Sequence, residues 1–272
     1  MSDPEADPPS FWERPGLNVA SYDLRARFDA LLFGDHADFY VARARESAGP
    51  VLELGSGTGR VSLRMAVEAG AVVTGVEPSA PMREYAERAR EDTEAGAARR
   101  VHFITGDMTD LDLASRFGLV VIPFRGFQEL LTVADQFRAL AAVRRHLAPG
   151  GRLVFDVFDP RLERLGAEGE AMPFDLPLMP MADGHRLKVT ITGRDNDPLR
   201  QIMRERWRFA ELNGDGTEAR VEEGLLTLRW ATRAEMRHLL ARAGFSVIAE
   251  YGDFEGGPPR YGGEQVWIAE AS

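Results

Sequence analysis

Residues Val51–Gly59 read Val-Leu-Glu-Leu-Gly-Ser-Gly-Thr-Gly, and this stretch decides the fold class of the chain. Its first half is a short apolar run, which is typical of a strand buried on both faces of a sheet. Its second half alternates glycine with small polar residues, and helical spacing follows from about Arg60 to Ala69. Glycines allow a tight turn and the close approach of a ligand, and the first N–H groups of a helix favour an anionic group. The stretch therefore predicts a strand, a ligand-binding turn and a helix.

The same alternation of strand and helix continues along the chain. Further strands are predicted at residues 71–76, 101–105, 119–122, 152–158, 246–251 and 265–269, and helices at 80–90, 134–147 and 232–243. Short apolar strands that alternate with helices are typical of a parallel sheet with right-handed crossovers. We therefore predict an α/β fold with a doubly wound, mostly parallel sheet of seven strands.

Between the two groups of strands, apolar residues alternate with polar ones instead of following helical spacing. Two turn-forming segments, Asp195–Pro198 and Asn213–Gly216, separate three alternating stretches, which predicts an inserted antiparallel β cap. The predicted organisation is a disordered tail with a helical lid, a ligand-binding core, the cap, and a final helix and hairpin that complete the core sheet, at residues 1–49, 50–158, 159–231 and 232–272. The cap is expected to cover a substrate or to form a dimer contact.

Composition excludes several classes of function. The 272 residues include 33 Lys and Arg, 43 Asp and Glu, and no Cys, for a net charge of −10. Because phosphate neutralisation dominates nucleic-acid binding, this charge argues against nucleic acid as a partner. The lack of cysteine excludes thiolate-ligated metals and is compatible with a reducing cytoplasm, which we predict as the location. No segment reaches the ~20 apolar residues of a membrane span, so no membrane partner is expected.

Carboxylates follow the next two predicted strands. Glu77 ends the second strand, and Asp107 follows the third. A carboxylate at the tip of the second strand can accept hydrogen bonds from both hydroxyls of a ribose. Asp107 can accept from an exocyclic amine such as that of adenine, with Met108 beside the ring and Met82 on the other ring face. Because the carboxyl ends of parallel strands meet at one edge, these residues predict a nucleoside site there.

With these motifs in this order, the chain resembles the class I S-adenosylmethionine-dependent methyltransferases. The resemblance covers about residues 50–158, and 232–270 more loosely, and it implies the Rossmann-like methyltransferase fold. It implies that the glycine turn and the backbone after the fourth strand hold the methionine end of S-adenosylmethionine. The cofactor contacts expected on this basis are Tyr22, Glu53, Gly55, Ser56, Gly57, Gly59, Glu77, Pro78, Met82, Asp107, Met108, Ile122 and Pro123. No metal is expected.

The resemblance also narrows the acceptor. The insertion is similar to the cap of small-molecule methyltransferases, including those that act on amino sugars and natural products. Amide methyltransferases of DNA and protein place Asn, Asp or Ser before Pro-Pro-Tyr/Phe, whereas residues 122–125 here read Ile-Pro-Phe-Arg. We therefore expect a small-molecule acceptor, methylated on N or O, and less readily on C, by in-line displacement that leaves S-adenosylhomocysteine.

Three residues are candidates for catalysis or acceptor binding. Arg125 can clamp a carboxylate or phosphate, and Glu129 can act as a base or orient an amine, unless the two pair with each other. His185, at the start of the cap, is a candidate base. His146 and His238 are expected on solvated helix faces. Aromatic Trp12 and Tyr22 belong to the predicted lid.

Two alternatives stay open at this point. One is a protein that binds the cofactor without catalysis, because intact motifs alone do not establish a reaction. The other is a nicotinamide or nucleotide-sugar enzyme on the same sheet, although Gly-x-Gly-x-Gly differs from the Gly-x-Gly-x-x-Gly of such proteins. The alternating cap strands can also pair across a homodimer.

Overall fold

The computed structural model describes residues 11–161, 163, 173–181 and 184–272, so the tail predicted at residues 1–10 lies outside the described residues. Three helices precede the sheet, α1 Leu17–Ala20, α2 Tyr22–Phe33 and α3 Ala37–Glu46. The sequence predicted one helical stretch here. The structure breaks it at Ser21 and again at Gly34, whose φ of +87° is readily adopted only by glycine.

Seven strands form the core sheet, in the order β11-β12-β5-β4-β1-β2-β3. Its strands are β1 Val51–Leu54, β2 Val73–Val76, β3 Val101–Ile104, β4 Phe117–Ile122, β5 Leu147–Phe158, β11 Phe245–Tyr251 and β12 Glu264–Ala271. The helices between them are α4 Arg60–Glu68, α5 Ala80–Glu91, α6 Ala95–Ala98, α7 Val133–His146 and α8 Arg233–Arg242. Strands β1 to β5 run parallel, and β12 is antiparallel to both β5 and β11. The predicted fold class is confirmed.

The order of strands determines where a ligand can bind. Strand β1 lies between β2 and β4, so the chain continues from β1 to β2 and β3 on one side and then places β4 and β5 on the other side. A crevice opens at the carboxyl end of β1, where this order reverses. All four residues of β1 are buried. Leu52 and Leu54 pack in the cluster that includes α7 and α8, and Val51 packs in the cluster that includes α3 and α4. Because side chains alternate along a strand, Glu53 lies on the same face as Val51.

A separate antiparallel sheet forms the cap within the segment predicted for it. It contains β6 Phe174–Asp175, β7 Met179–Pro180, β8 Arg186–Asp197, β9 Ile202–Leu212 and β10 Glu218–Arg229, in the order β10-β9-β8-β6 with β7 also paired to β8. The turn predicted at Asp195–Pro198 is displaced, because β8 continues through Asp197. The Asp195 carboxylate lies 3.4 Å from both Arg204 and Arg206 on the neighbouring strand, which favours pairing over a turn.

His146 is another correction, since it is buried and not solvated. Its Nε2 accepts the N–H of Leu113 at 2.7 Å, and its Nδ1 lies 2.7 Å from the carbonyl oxygen of Ala142. Two such partners define a neutral ring with the proton on Nδ1. The ring therefore joins the end of α7 to the segment that leads into β4. Within the described part of the chain, no helix has both the length and the apolar character needed to cross a membrane.

The glycine before α4 is required for packing as well as for the turn. Gly59 has φ +77°, and a Cβ at this position would lie 2.5 Å from Cζ of Phe103 on β3. Gly70 offers a comparison, since it has φ +68° but open space around the same position.

We predict that Gly59→Ala lowers the free energy of unfolding by roughly 2–4 kcal/mol, because left-handed strain and overpacking add. Gly70→Ala should lose only about 1–2 kcal/mol, from strain alone. Urea unfolding of both variants measures the difference, and equal losses would contradict a steric role for Gly59.

Candidate functional site

A cavity of about 350 Å³ lies at the carboxyl ends of β1 to β4, beneath the lid formed by residues 11–33. Of the residues predicted to contact the cofactor, eleven line it: Tyr22, Glu53, Gly55, Ser56, Gly57, Glu77, Pro78, Met82, Asp107, Met108 and Pro123. Glu129 lines the same cavity. Strand topology therefore brings most of the predicted site into one place, because these residues lie near strand ends, on the first turn of α5 or on the lid.

Glu77 connects two neighbouring turns at the edge of this cavity, the turn after β1 and the turn after β2. Its Oε2 accepts the N–H of Gly57 at 2.9 Å, and its Oε1 accepts the N–H of Ser79 at 2.8 Å. Burial raises the pKa of Glu77, and the two N–H donors oppose that rise. Gly57 has φ +55°, and a Cβ added there would touch no protein atom within 4 Å. The space beside Gly57 therefore belongs to the cavity, and each oxygen of Glu77 keeps acceptor capacity for a hydroxyl.

The residues around this pair fit a nucleoside that carries a methionine. Ser56 lines the cavity, and its buried hydroxyl has no hydrogen-bond partner among the described residues. Asp107 accepts through Oδ1 from the N–H and hydroxyl of Thr109, at 2.7 and 2.8 Å, and its Oδ2 has no protein partner in the described part of the chain. Met82 and Met108 supply apolar surface. Carboxylate oxygens that can accept hydrogen bonds from the hydroxyls of a ribose and from an exocyclic amine thus line the same cavity as two methionine side chains, which can pack against the ring of a base.

At the β1 end of the cavity, Glu53 is nearly inaccessible to solvent. Burial raises its pKa to about 8, although the hydroxyl of Ser62 donates to the carboxyl and lowers it. Burial also raises the pKa of the Tyr22 hydroxyl, which lines the cavity from the lid. Both groups therefore carry their protons at neutral pH.

The loop after β4 is held by an acid that the motif search missed. Phe124 and Arg125 have φ of +55° and +66°, in the left-handed region that non-glycine residues rarely adopt. Asp156 of β5 accepts both of their N–H groups, at 2.7 and 3.1 Å, as well as the hydroxyl of Tyr40. Burial raises the pKa of Asp156 to about 6. The sequence did contain a signal for Asp156, because it is a single acid within the apolar strand β5. A buried carboxylate of this kind must accept hydrogen bonds from nearby donors.

Glu129 is the catalytic candidate that the structure places at the cavity. It ends the short 3-10 turn Gly126–Glu129, and its Oε1 accepts the indole N–H of Trp12 at 2.8 Å. The protein atoms around the cavity raise the pKa of Glu129 to about 7, although the residue itself is still exposed to solvent, and the bond from Trp12 opposes this rise. The carbonyl of Trp12 accepts the hydroxyl of Ser79 at 2.6 Å. Trp12 therefore spans the cavity from the loop after β2 to the turn after β4.

The other two candidates lie elsewhere. The guanidinium of Arg125 forms an ion pair with Glu264 of β12 at 2.7 Å, and the alternative considered from the sequence, a pair between Arg125 and Glu129, is not formed. His185 pairs with Glu211 across the cap sheet. Neither residue lines the cavity.

Two of the predicted cofactor contacts are also absent from the cavity wall. Gly59 packs against Phe103, and the side chain of Ile122 is buried in the core. The wall has members that the motifs did not identify: Trp12, Glu13, Arg60, Val61, Val76, Ser79, Gly106, Phe124, Gly126 and Leu130. Several of these adjoin a motif residue, but the two lid residues reach the wall through long-range folding.

Comparison with known proteins now defines the family. A family model described as "Methyltransferase domain" matches residues 51–151. Cypemycin N-terminal methyltransferase from a Streptomyces species is 31% identical over 209 residues, which cover 76% of this chain and 77% of that protein. This chain belongs to the class I S-adenosylmethionine-dependent methyltransferases. The family predicted from the motifs is confirmed, and with it the classification as an enzyme.

Solved structures show the same fold. The CcbJ methyltransferase of Streptomyces caelestis has a TM-score of 0.76 at 24% identity, over 97% of this chain and 98% of that one. The sugar N-methyltransferase KedS8 of Streptoalloteichus has a TM-score of 0.67 at 23% identity, over 91% and 92%. At these identities the likeness concerns the fold alone, and it includes the cap because nearly the whole chain is covered.

The raised pKa of Glu53 predicts how stability of this methyltransferase depends on pH. A carboxyl whose pKa rises from about 4.5 to about 8 on folding holds its proton in the folded state and releases it when unfolded. Between these values rising pH therefore favours unfolding. We predict that the wild type loses stability relative to Glu53→Gln as pH rises from 5 to 8. Urea unfolding measures both free energies, and Ser62→Ala, which removes the hydroxyl that donates to Glu53, serves as a comparison. A constant difference across this range would contradict the shift.

Proposed function

We propose that this methyltransferase transfers a methyl group to the nitrogen of an amine on a small-molecule or peptide acceptor. The observation that carries the proposal is the position of Glu129, a carboxyl that lines the cavity and accepts the indole N–H of Trp12; its raised pKa of about 7 agrees with this position. An aliphatic amine is protonated at neutral pH and must lose a proton before its lone pair can attack. A general base near pH 7 is well suited to accept that proton.

The proposed cofactor contacts follow from the geometry of the cavity. Glu77 would accept from the ribose hydroxyls and Asp107 from the adenine amine, while the turn Gly55–Gly57 and the Ser56 hydroxyl would hold the methionine end. When bound, S-adenosylmethionine supplies a methyl group on a positively charged sulfur. The protein itself must align the amine with that group and exclude water, which contributes more to such reactions than any covalent role.

The names of related proteins favour nitrogen over oxygen. The curated relative is named for methylation of the cypemycin N-terminus, and KedS8 is named as a sugar N-methyltransferase. Both names refer to nitrogen, on acceptors as different as a peptide and a sugar. A carboxylate base serves either acceptor, because it acts on the amine and not on the rest of the molecule. The predicted cytoplasmic location, homodimer and exclusion of nucleic acid stay predictions.

Binding of the cofactor product tests the proposed role of Glu77. Glu77→Ala removes the ribose acceptor and the bond between the two turns, so we expect S-adenosylhomocysteine to bind roughly 100-fold or more weakly, the loss of two hydrogen bonds to a charged group. Isothermal calorimetry measures this. Glu84→Ala, which removes an exposed acid of α5, should bind like the wild type. Equal binding by Glu77→Ala would contradict the assignment.

The rate of methyl transfer tests the proposed role of Glu129 as a base. Glu129→Gln should lower kcat by roughly 10²–10⁴-fold while leaving the affinity for S-adenosylhomocysteine close to that of the wild type. The wild-type rate should rise with pH until about 7, where Glu129 is ionised. Trp12→Phe removes the donor that lowers this pKa, so its midpoint should move to higher pH. An unchanged kcat in Glu129→Gln would exclude the base.

A further inference from the structure

We propose that Arg25 of α2 binds an anionic group, a carboxylate or a phosphate, carried by the acceptor. The inference rests on the proposed function, because it concerns the molecule that is methylated. Tyr22 of the same helix lines the cavity, and Arg25 lies one turn later on the same face. Recognition by Arg25 would therefore take place next to the reaction site and not in it.

The position of the guanidinium places it where the lid meets the cap. Its Cζ lies 5.7 Å from the ring centre of Tyr22 in the lid. It lies 5.7 Å from the ring centre of Trp207 and 5.2 Å from that of Phe209, which are on β9 of the cap. The predicted cofactor contacts are mostly on the core sheet and its loops, at the other side of Tyr22. Because the described lining of the cavity contains no residue of the cap, an anion bound at Arg25 would lie outside the cavity, between the lid and the cap.

The charge of Arg25 is not neutralised within the described residues. No carboxylate there forms an ion pair with it, and its two hydrogen bonds go to neutral oxygens. Nη2 donates to the carbonyl of Asn18 at 2.7 Å, and Nε donates to the hydroxyl of Ser21 at 3.3 Å. Nη1 has no protein partner among these residues.

Asp23 and Asp29 of the same helix favour the charged form of Arg25, but neither acid forms an ion pair with it in the described part of the chain. Asp23, two residues before Arg25, accepts the hydroxyl of Thr58 at 2.6 Å instead. Burial lowers the pKa of Arg25 to about 10, so the group has lost hydration yet stays charged at neutral pH. A cation that has given up water without gaining an anion is costly, and an anionic ligand would recover that cost.

The surroundings are suited to an anion of defined orientation. The bonds from Nε to Ser21 and from Nη2 to Asn18 orient the planar guanidinium, and the N–H groups of Nη1 stay available to donate. Aromatic rings on the lid and cap limit access of water, which strengthens a charge-assisted hydrogen bond. Carboxylate and phosphate share the oxygen geometry that this edge binds, so the experiment must distinguish them.

The test uses the full chain, labelled S-adenosylmethionine and amines in matched pairs. Alanine is paired with alaninamide, a short peptide acid with its peptide amide, and glucosamine 6-phosphate with glucosamine. The variants are Arg25→Gln and Arg25→Lys, with Arg27→Gln as the matched control, because Arg27 is an exposed residue of the same helix. Calorimetry with S-adenosylhomocysteine shows that each variant is folded and reports its affinity for the cofactor product.

We expect the wild type to prefer the acidic member of a pair, either carboxylate or phosphate. Arg25→Gln should raise KM for that member roughly 10- to 100-fold, the value of a hydrogen bond to a charged group, and leave KM for the neutral member nearly unchanged. Arg25→Lys should keep part of the preference, and Arg27→Gln all of it. If Arg25→Gln is unfolded, the Arg25→Lys result decides.

Three outcomes overturn the proposal. Equal use of both members by the wild type would show that no anion is recognised. Equal losses for both members in Arg25→Gln would indicate that the guanidinium only holds the lid on the cap. If Arg25→Gln weakens the binding of S-adenosylhomocysteine by the same factor as it raises KM for the acidic acceptor, Arg25 binds the carboxylate of the cofactor instead. Transfer to no amine at all, with cofactor binding intact, would instead contradict the proposed N-methylation, and with it the role of Arg25.

Discussion

The carboxylate of Glu77 holds the cavity together, because it accepts an N–H from the turn after β1 and another from the turn after β2. Neither N–H belongs to a helix or a strand, so without this acid the two turns would have to find other partners or remain exposed to water. Parallel strands place the turns side by side, but the side chain fixes their separation. The two oxygens that would bind a ribose are thus already oriented by the protein, which reduces the ordering that binding would otherwise require.

Asp156 has the same function on the other side of β1. It holds the N–H groups of two consecutive residues in left-handed conformations, each of which costs about 1–3 kcal/mol unless the surroundings compensate. Both sides of the cavity are therefore fixed by buried acids, and Glu53 and Glu129 add two further carboxyls with raised pKa values. A cationic sulfonium would lower these pKa values, whereas the neutral sulfur of the product would not. We therefore expect this set of acids to favour the cofactor over its product.

The strands, the helices and the residues that directly follow a strand could be predicted from the sequence nearby. Residues whose positions depend on contacts between distant parts of the chain could not. The glycine turn, Glu77 and Asp107 could be predicted because each directly follows a recognisable strand, and topology then brings them together. Trp12 could not be placed, since its contacts with Glu129 and Ser79 cross 117 and 67 positions of the chain. His146 shows the same limit, because a polar residue near a helix end resembles a solvated one until Leu113 donates to it.

The lid connects the cap to the cofactor cavity. Phe11 packs so closely on β10 that a Cβ at Gly224 would lie 2.6 Å from its ring, and the N–H of Leu17 donates to Glu222 of the same strand at 2.5 Å. The residue after Phe11 is Trp12, which bonds to both sides of the cavity. Any lid movement wide enough to admit a nucleoside would break the Trp12 contacts and would displace Tyr22 and Arg25 from the aromatic rings of the cap. The contacts of the lid with the core and with the cap therefore depend on one another, because the same segment, residues 11–33, makes both.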